Sequence, residues 1–177
     1  MNESKISVRY AKAFFELGIE KNKIDIFKQD LEVIGQALQI KEFVQVIYSP
    51  IIMPSEKKAV INSIFTNKID PLSISFLNLL IENQRETFLP IIIKNYLKLY
   101  REYHGIKEVE ITSAIEIDKE ETEKIKAIIS KTLNSQIELT KQTKPEILGG
   151  IIIRIEDKML DMSVSTQLKN IKKQLLQ

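Results

Sequence analysis

The sequence predicts an α+β protein: an N-terminal six-helix bundle over residues 1–105, then a small mixed α/β domain over residues 106–177. Three observations predict it. Before His104-Gly105 the apolar residues recur every three to four positions, the period of a helix with one buried face. After it, alternation of period two appears, as in half-buried strands. Four of the five prolines lie between Pro50 and Pro90, where they divide short helices.

Ser4 to Glu20 reads as the first helix, with Asn22 near its end. Asp25 to Ile40 is the second; Phe27, Leu31, Ile34 and Leu38 form one stripe, and Lys28, Gln29, Glu32 and Gln36 face away. A short helix, Lys41 to Tyr48, stops before Pro50. Pro54-Ser55-Glu56 opens a fourth through Phe65, with Ser55 as the expected cap. Asp70-Pro71 opens a fifth through Asn83: Asp accepts from the free N–H groups, and Pro tolerates the first helical position. The sixth runs from Glu86 to His104, with Pro90 in its first turn and Gly105 as a left-handed cap.

In the second part, Lys107 to Ile117 reads as a strand: Val109, Ile111, Ser113, Ile115 and Ile117 share one face. Asp118 to Glu121 has capping-box spacing and starts a helix whose core stripe is Ile125, Ile128, Ile129 and Leu133. Gln136 to Thr143 is a second strand, broken by Pro145. Gly149-Gly150 precedes a third, Ile151 to Ile155, and Asp157-Lys158 marks a turn. Ser163 or Ser165 caps a last helix, with Leu168, Ile171 and Leu175 inward and Lys169, Lys172 and Lys173 outward.

Composition excludes several chemistries. There is no Cys, so no disulfide, thiolate nucleophile or Cys-ligated metal. His104 is the single histidine and cannot build a multi-histidine metal site; beside Gly105 it reads as a helix-end residue interacting with the dipole. With 26 basic and 24 acidic residues, the chain lacks the excess positive charge of a nucleic-acid binder. Its longest apolar runs, Ile91 to Ile93 and Ile151 to Ile153, fall far short of the ~20 residues that span a membrane. No signal-peptide core opens the chain, so a soluble, unprocessed protein is expected.

Local motifs carry little more. Gly149-Gly150 lacks the spacing of a phosphate loop and reads as a bend. No Gly-x-Ser-x-Gly elbow surrounds a serine. Glu120, Glu121 and Glu123 open a helix, where negative charge is favourable, and read as a solvated start rather than a metal site. No cofactor is expected. Lys169, Lys172 and Lys173 form a charged face that suits solvent, an acidic partner or lipid headgroups.

Two helices are apolar on more than one side. In the first, Ile6, Tyr10, Ala13 and Leu17 form one stripe, and Val8, Ala11, Phe15 and Ile19 another. The fifth has Leu72, Phe76, Leu79 and Leu80 on one side and Ile74, Leu77 and Ile81 on the other. The pattern allows two readings: both helices are central, or one face of each packs inside while the other forms a groove for an amphipathic helix.

Several blocks, in order, resemble the delta subunit of the F-type ATP synthase, the oligomycin-sensitivity-conferral protein family. They are Arg9-Tyr10-Ala11-Lys12-Ala13-Phe14-Phe15, Leu79-Leu80-Ile81-Glu82-Asn83-Gln84-Arg85 and the Tyr96-Leu97-x-Leu99 region. A longer block follows between Ile137 and Glu156, with Leu139, Thr143, Lys144, Ile147, Gly149-Gly150-Ile151, Ile153 and Arg154. Asp161-Met162-Ser163-Val164 followed by Leu168 completes the resemblance, which covers nearly the whole chain.

The resemblance implies a non-catalytic stator subunit that joins the catalytic head to the peripheral stalk. Carried over by position, the groove for the N-terminal helix of an alpha subunit falls at Tyr10, Ala13, Phe14 and Leu17 with Ser75, Phe76 and Leu79. The C-terminal domain would bind the b subunits, with Gly149, Gly150, Ile151, Ile153, Leu168, Ile171 and Leu175 as candidates. Membrane association would come only through the complex, on the cytoplasmic side of a bacterial plasma membrane or the stromal side of a plastid thylakoid. The competing class is a helical RNA-binding or adaptor protein, against which the balanced charge speaks.

Overall fold

A computed structural model describes residues 2–155 and 158–175, with side chains over 5–155 and 158–174. The chain forms two compact units, residues 1–100 and 101–177, and the division falls in the last turn of the helix that ends at His104.

The first unit is helical: α1 (Asn2–Glu20), α2 (Ile24–Ala37), α3 (Lys41–Tyr48), α4 (Pro54–Phe65), α5 (Pro71–Glu82) and α6 (Leu89–His104). Its core gathers Phe14, Phe27, Leu31, Phe65, Leu80 and Tyr96, each essentially buried. Phe27, Leu31 and Ile34 of the α2 stripe are buried, but the helix ends at Ala37, three residues before Ile40, and leaves Leu38 half-buried at its cap. Asn22 and Gly105 take positive φ just past α1 and α6. Leu72 N–H donates to the Asp70 carboxylate, which caps α5 ahead of Pro71.

Two details differ from expectation. Met53, not Ser55, occupies the cap position of α4; Pro54 takes the first helical position, and Met53 N–H donates to the Glu56 carboxylate at 3.3 Å. The segment Glu86–Phe88 forms a separate 3₁₀ turn, so α6 starts at Leu89, placing Pro90 in its first turn.

The second unit holds β1 (Lys107–Ser113), α7 (Lys119–Leu133), β2 (Ile137–Thr143), β3 (Ile151–Ile155), β4 (Lys158–Asp161) and α8 (Val164–Leu175). The strand order is β2-β1-β3-β4. β1 and β2 run parallel, Lys107 opposite Ile137, which requires the crossover that α7 supplies. β3 lies antiparallel to β1, Ile153 opposite Ile111, and β4 antiparallel to β3. Val109, Ile111, Ile129 and Ile137 make the small core, with Ile125 and Leu133 against it. Asp118 caps α7 by accepting from Glu121 N–H at 2.7 Å.

Several expectations change here. β1 ends at Ser113, so Ile115 lies beyond the strand and is exposed. Ile128 is also exposed: one turn of α7 covers the sheet through Ile125 and Ile129, and Ile128 falls to the side. β4 was not predicted, because Lys158–Asp161 is too short to show alternation. Of the turn expected at Asp157-Lys158, Lys158 opens β4, while Asp157 and the side chain of Leu175 lie outside the described residues.

Candidate functional site

The first candidate surface lies along α1 and α5. The α1 residues buried at its centre are Ser7, Ala11, Phe14, Phe15 and Gly18. This seam runs between the two apolar stripes read from the sequence. Ile6, Tyr10 and Leu17 are therefore half-buried on one flank, with Ala13 exposed beside them; Val8 and Ile19 are exposed on the other. Small residues account for the phase. A Cβ added at Gly18 would sit 3.2 Å from the Phe27 ring and 3.5 Å from the Tyr96 hydroxyl, so glycine lets these rings close on α1.

Phe14 and Phe76 join the two helices. Their rings stack with centroids 4.1 Å apart, and Phe14 stacks on Phe27 at 4.4 Å on its other side. Tyr10 meets Phe76 edge-on at 6.5 Å. Phe14 is 1% exposed and Phe76 8%, so both form floor rather than rim. Their helical neighbours at i−4 and i+3 are Tyr10 and Leu17 on α1, and Leu72 and Leu79 on α5. Tyr10, Leu17 and Leu72 are half-buried, Leu79 is 45% exposed, and Ser75 is exposed. The arrangement is an apolar strip between two helices with an aromatic floor; its polar groups are the Tyr10 phenol and the Ser75 hydroxyl, which donates to Pro71 O at 2.9 Å.

The α5 wall is fixed at its start by a buried carboxylate. Asp30 on α2 accepts from Asp70 N–H at 3.0 Å and from the Ser73 hydroxyl at 2.5 Å. Asp70 in turn pairs with Lys23 at 2.6 Å. The hydrogen bond from Lys23 holds the Asp70 carboxyl below the ordinary carboxylate range; partial burial opposes this, while Leu72 N–H and the Lys23 charge reinforce it. Asp30 passed unnoticed in the sequence because a single acidic residue in an amphipathic helix looks solvated.

The second surface lies in the C-terminal unit. Leu148 and Gly150 take positive φ, and Ile151 and Ile153 are half-buried in β3. Only glycine fits at 150, because any Cβ would overlap the Met162 carbonyl oxygen. Ser163 caps α8, its Oγ accepting from Thr166 N–H at 3.3 Å. Asp161 accepts from Ser163 N–H and the Thr166 hydroxyl at 2.8 Å each; hydrogen bonding from the Ser163 side chain first, then from Ser163 N–H and Thr166, holds its carboxyl below the usual range. Leu168 and Ile171, expected inward, are each 52% exposed, because α8 touches its unit through its first turn. An open apolar recess of about 590 Å³ lies nearby, lined by Ile115, Ile117, Ile125, Leu148 and Ile151, with Glu121 and Lys124 at its edge.

Among the described residues no cluster of His, Asp and Glu is arranged to hold a metal, and no helix is long and apolar enough to cross a membrane. The model of the ATP synthase delta (OSCP) subunit family matches residues 6–175. An ATP synthase subunit delta from Halothermothrix orenii is 35% identical over 176 residues, covering 99% of this chain and 92% of that one. One from Desulforamulus reducens is 31% identical over 172 residues, covering 97% and 95%. A chain of the Toxoplasma gondii mitochondrial ATP synthase hexamer shares the fold, with a TM-score of 0.78 over 97% of both chains at 24% identity. These matches do not support the RNA-binding or adaptor alternative. Family match and near-complete coverage lead to one conclusion: the chain belongs to the ATP synthase delta (OSCP) subunit family, a non-catalytic stator component of the F-type ATP synthase.

Proposed function

We propose that residues 1–105 act as a six-helix holder for the N-terminal helix of an alpha subunit, seated between α1 and α5, while residues 106–177 grip the b subunits of the peripheral stalk. The observation that carries this reading is the strip above the Phe14–Phe76 stack, flanked by Tyr10, Ala13, Leu17, Ser75 and Leu79. An amphipathic helix laid there covers apolar surface of Tyr10, Leu17, Leu72 and Leu79 that the described residues leave open. Each large side chain buried contributes ~1.5–3 kcal/mol before the costs of association. Apolar contacts also keep their strength at ionic strengths that screen surface ion pairs.

The mechanism is mechanical. Ion flow turns the rotor, and the catalytic head would turn with it unless held. A two-unit clamp resists that torque by holding head and stalk at once. The complex would sit at a bacterial plasma membrane with this subunit on the cytoplasmic side, in line with the bacterial relatives.

The test is calorimetric titration of the full chain with a synthetic alpha-subunit N-terminal peptide. Leu79→Asp and Ala13→Asp should each weaken binding at least about tenfold with the helical circular dichroism unchanged, since both positions are exposed. Undiminished binding by both variants would sink the groove assignment.

A further inference from the structure

Helix α8 is amphipathic, yet its unit leaves the apolar side open. Its attachments lie in the first turn: Val164 N–H donates to Gly149 O at 3.0 Å, the Val164 methyl faces Gly149, and Thr166 bonds to Ser163 and Asp161. Every residue from Gln167 to Gln174 is exposed. Val164, Leu168 and Ile171 follow at spacings of four and three, so they form one stripe along the helix. Exposed Met162 extends the apolar surface back toward β4, whose outer edge carries no further strand among the described residues.

The charge on this helix is one-sided. At 100° per residue, Lys172 and Lys169 fall on one side of the stripe, Gln167, Gln174 and Asn170 on the other, and Lys173 almost opposite it. Between Val164 and Leu175 there is no acidic residue. Asp161, just before the helix, is already engaged by Ser163 and Thr166 and also feels Lys169. A helix lying in a lipid surface meets headgroups on both flanks of its apolar face, and here one flank is neutral. A second copy of α8 would bring the same lysines and no acid of its own.

We propose that α8 pairs with an amphipathic helix of the partner whose apolar stripe is flanked on one side by acidic residues. This deepens the reading of the second unit as the stalk grip and rests on it. The stripe supplies the contact, and the lysine flank selects the partner's face and orientation, because the wrong flank would oppose cations to neutral amides.

The full chain is titrated with three synthetic helical peptides that share one Leu/Ile stripe and carry Glu, Gln or Lys on a single flank. The Glu peptide should bind about tenfold tighter than the Gln peptide, an advantage that shrinks with added salt. Replacing Lys169, Lys172 and Lys173 by Gln should remove that advantage, and Leu168→Asp with Ile171→Asp should abolish binding of all three. These positions are exposed, so circular dichroism should not change. Equal binding of the Glu and Lys peptides, or no binding of either, overturns the proposal. So does preferential binding to phosphatidylglycerol vesicles, or self-association in sedimentation that Leu168→Asp abolishes. A parallel titration with purified b subunit separates the two levels. If b binds the native chain and the triple lysine variant alike, the charge-selected pairing fails and the stalk reading survives. If b does not bind the native chain, the stalk reading fails, and this partner with it.

Discussion

Phe14 of α1 and Phe76 of α5 stack with ring centroids 4.1 Å apart and planes inclined by 12°. This contact is both core and floor: beneath it lies Phe27, and above it the half-open strip. Stability and binding should therefore separate by depth. Phe14→Ala should cost about 3–5 kcal/mol, because a buried aromatic leaves a cavity that its neighbours refill only in part. Leu79→Asp, one turn away and exposed, should stay within about 0.5 kcal/mol of native. Denaturant unfolding of the two variants checks this.

Asp30 joins α2 to the start of α5 through Asp70 N–H and the Ser73 hydroxyl. Asp30→Ala would leave both donors short of their acceptor in a buried site, at a cost of about 1–3 kcal/mol. Hydrogen exchange should then quicken first at the amides opening α5, before the rest of the first unit responds.

Asp70 carries a pH dependence of definite sign. Pairing with Lys23 lowers its folded pKa. Its contribution is therefore fully present above the unfolded value, roughly 4, and is lost as pH falls through the depressed folded value. Unfolding free energies measured between pH 6 and pH 2 should fall less steeply in Lys23→Met than in the native chain. Identical slopes would show that the pair contributes nothing.

Lys57 of α4 and Glu86 in the 3₁₀ turn form a buried ion pair at 2.5 Å, and the other Glu86 oxygen is buried without a hydrogen-bond partner. Lys57→Met strands a buried carboxylate and should cost about 3–5 kcal/mol. Adding Glu86→Leu should recover much of that loss, since no charge then remains to be solvated. Thermal melts of the single and double variants decide the point.

Gly150 lies at φ +73°, and a Cβ added there would sit 2.3 Å from the Met162 carbonyl oxygen. Gly150→Ala meets both an unfavourable backbone region and an overlap, and should destabilise the second unit by about 2 kcal/mol or more. Gly35 has open space around it. At that helical position Gly→Ala should stabilise by about 0.5–1 kcal/mol, which makes it the matched control.

Much of this molecule is legible without coordinates. The helix period before residue 104, the alternation at Lys107 to Ser113, and the caps at Asp70, Asp118 and Gly105 are local signals. They depend on residues a few positions apart, so the sequence by itself determined an α+β chain with a helical first part. The ordered blocks of resemblance pointed to the family, although no single local motif carries a stator's chemistry.

The tertiary structure decided which face each helix buries. On α1 the buried seam passes through Ser7 and Gly18, residues that no hydrophobic ranking selects; at Gly18 the Phe27 ring of α2 and the Tyr96 side chain of α6 need the space that glycine leaves. On α8 the reverse holds: Leu168 and Ile171 look like core but are exposed, since only the first turn meets the unit. The parallel pairing of β1 with β2 and the outer position of β4 are likewise settled between segments far apart in the chain. Periodicity reports that a face is apolar. Whether the chain's own core or another molecule covers that face depends on what packs beside it, and that information is not local.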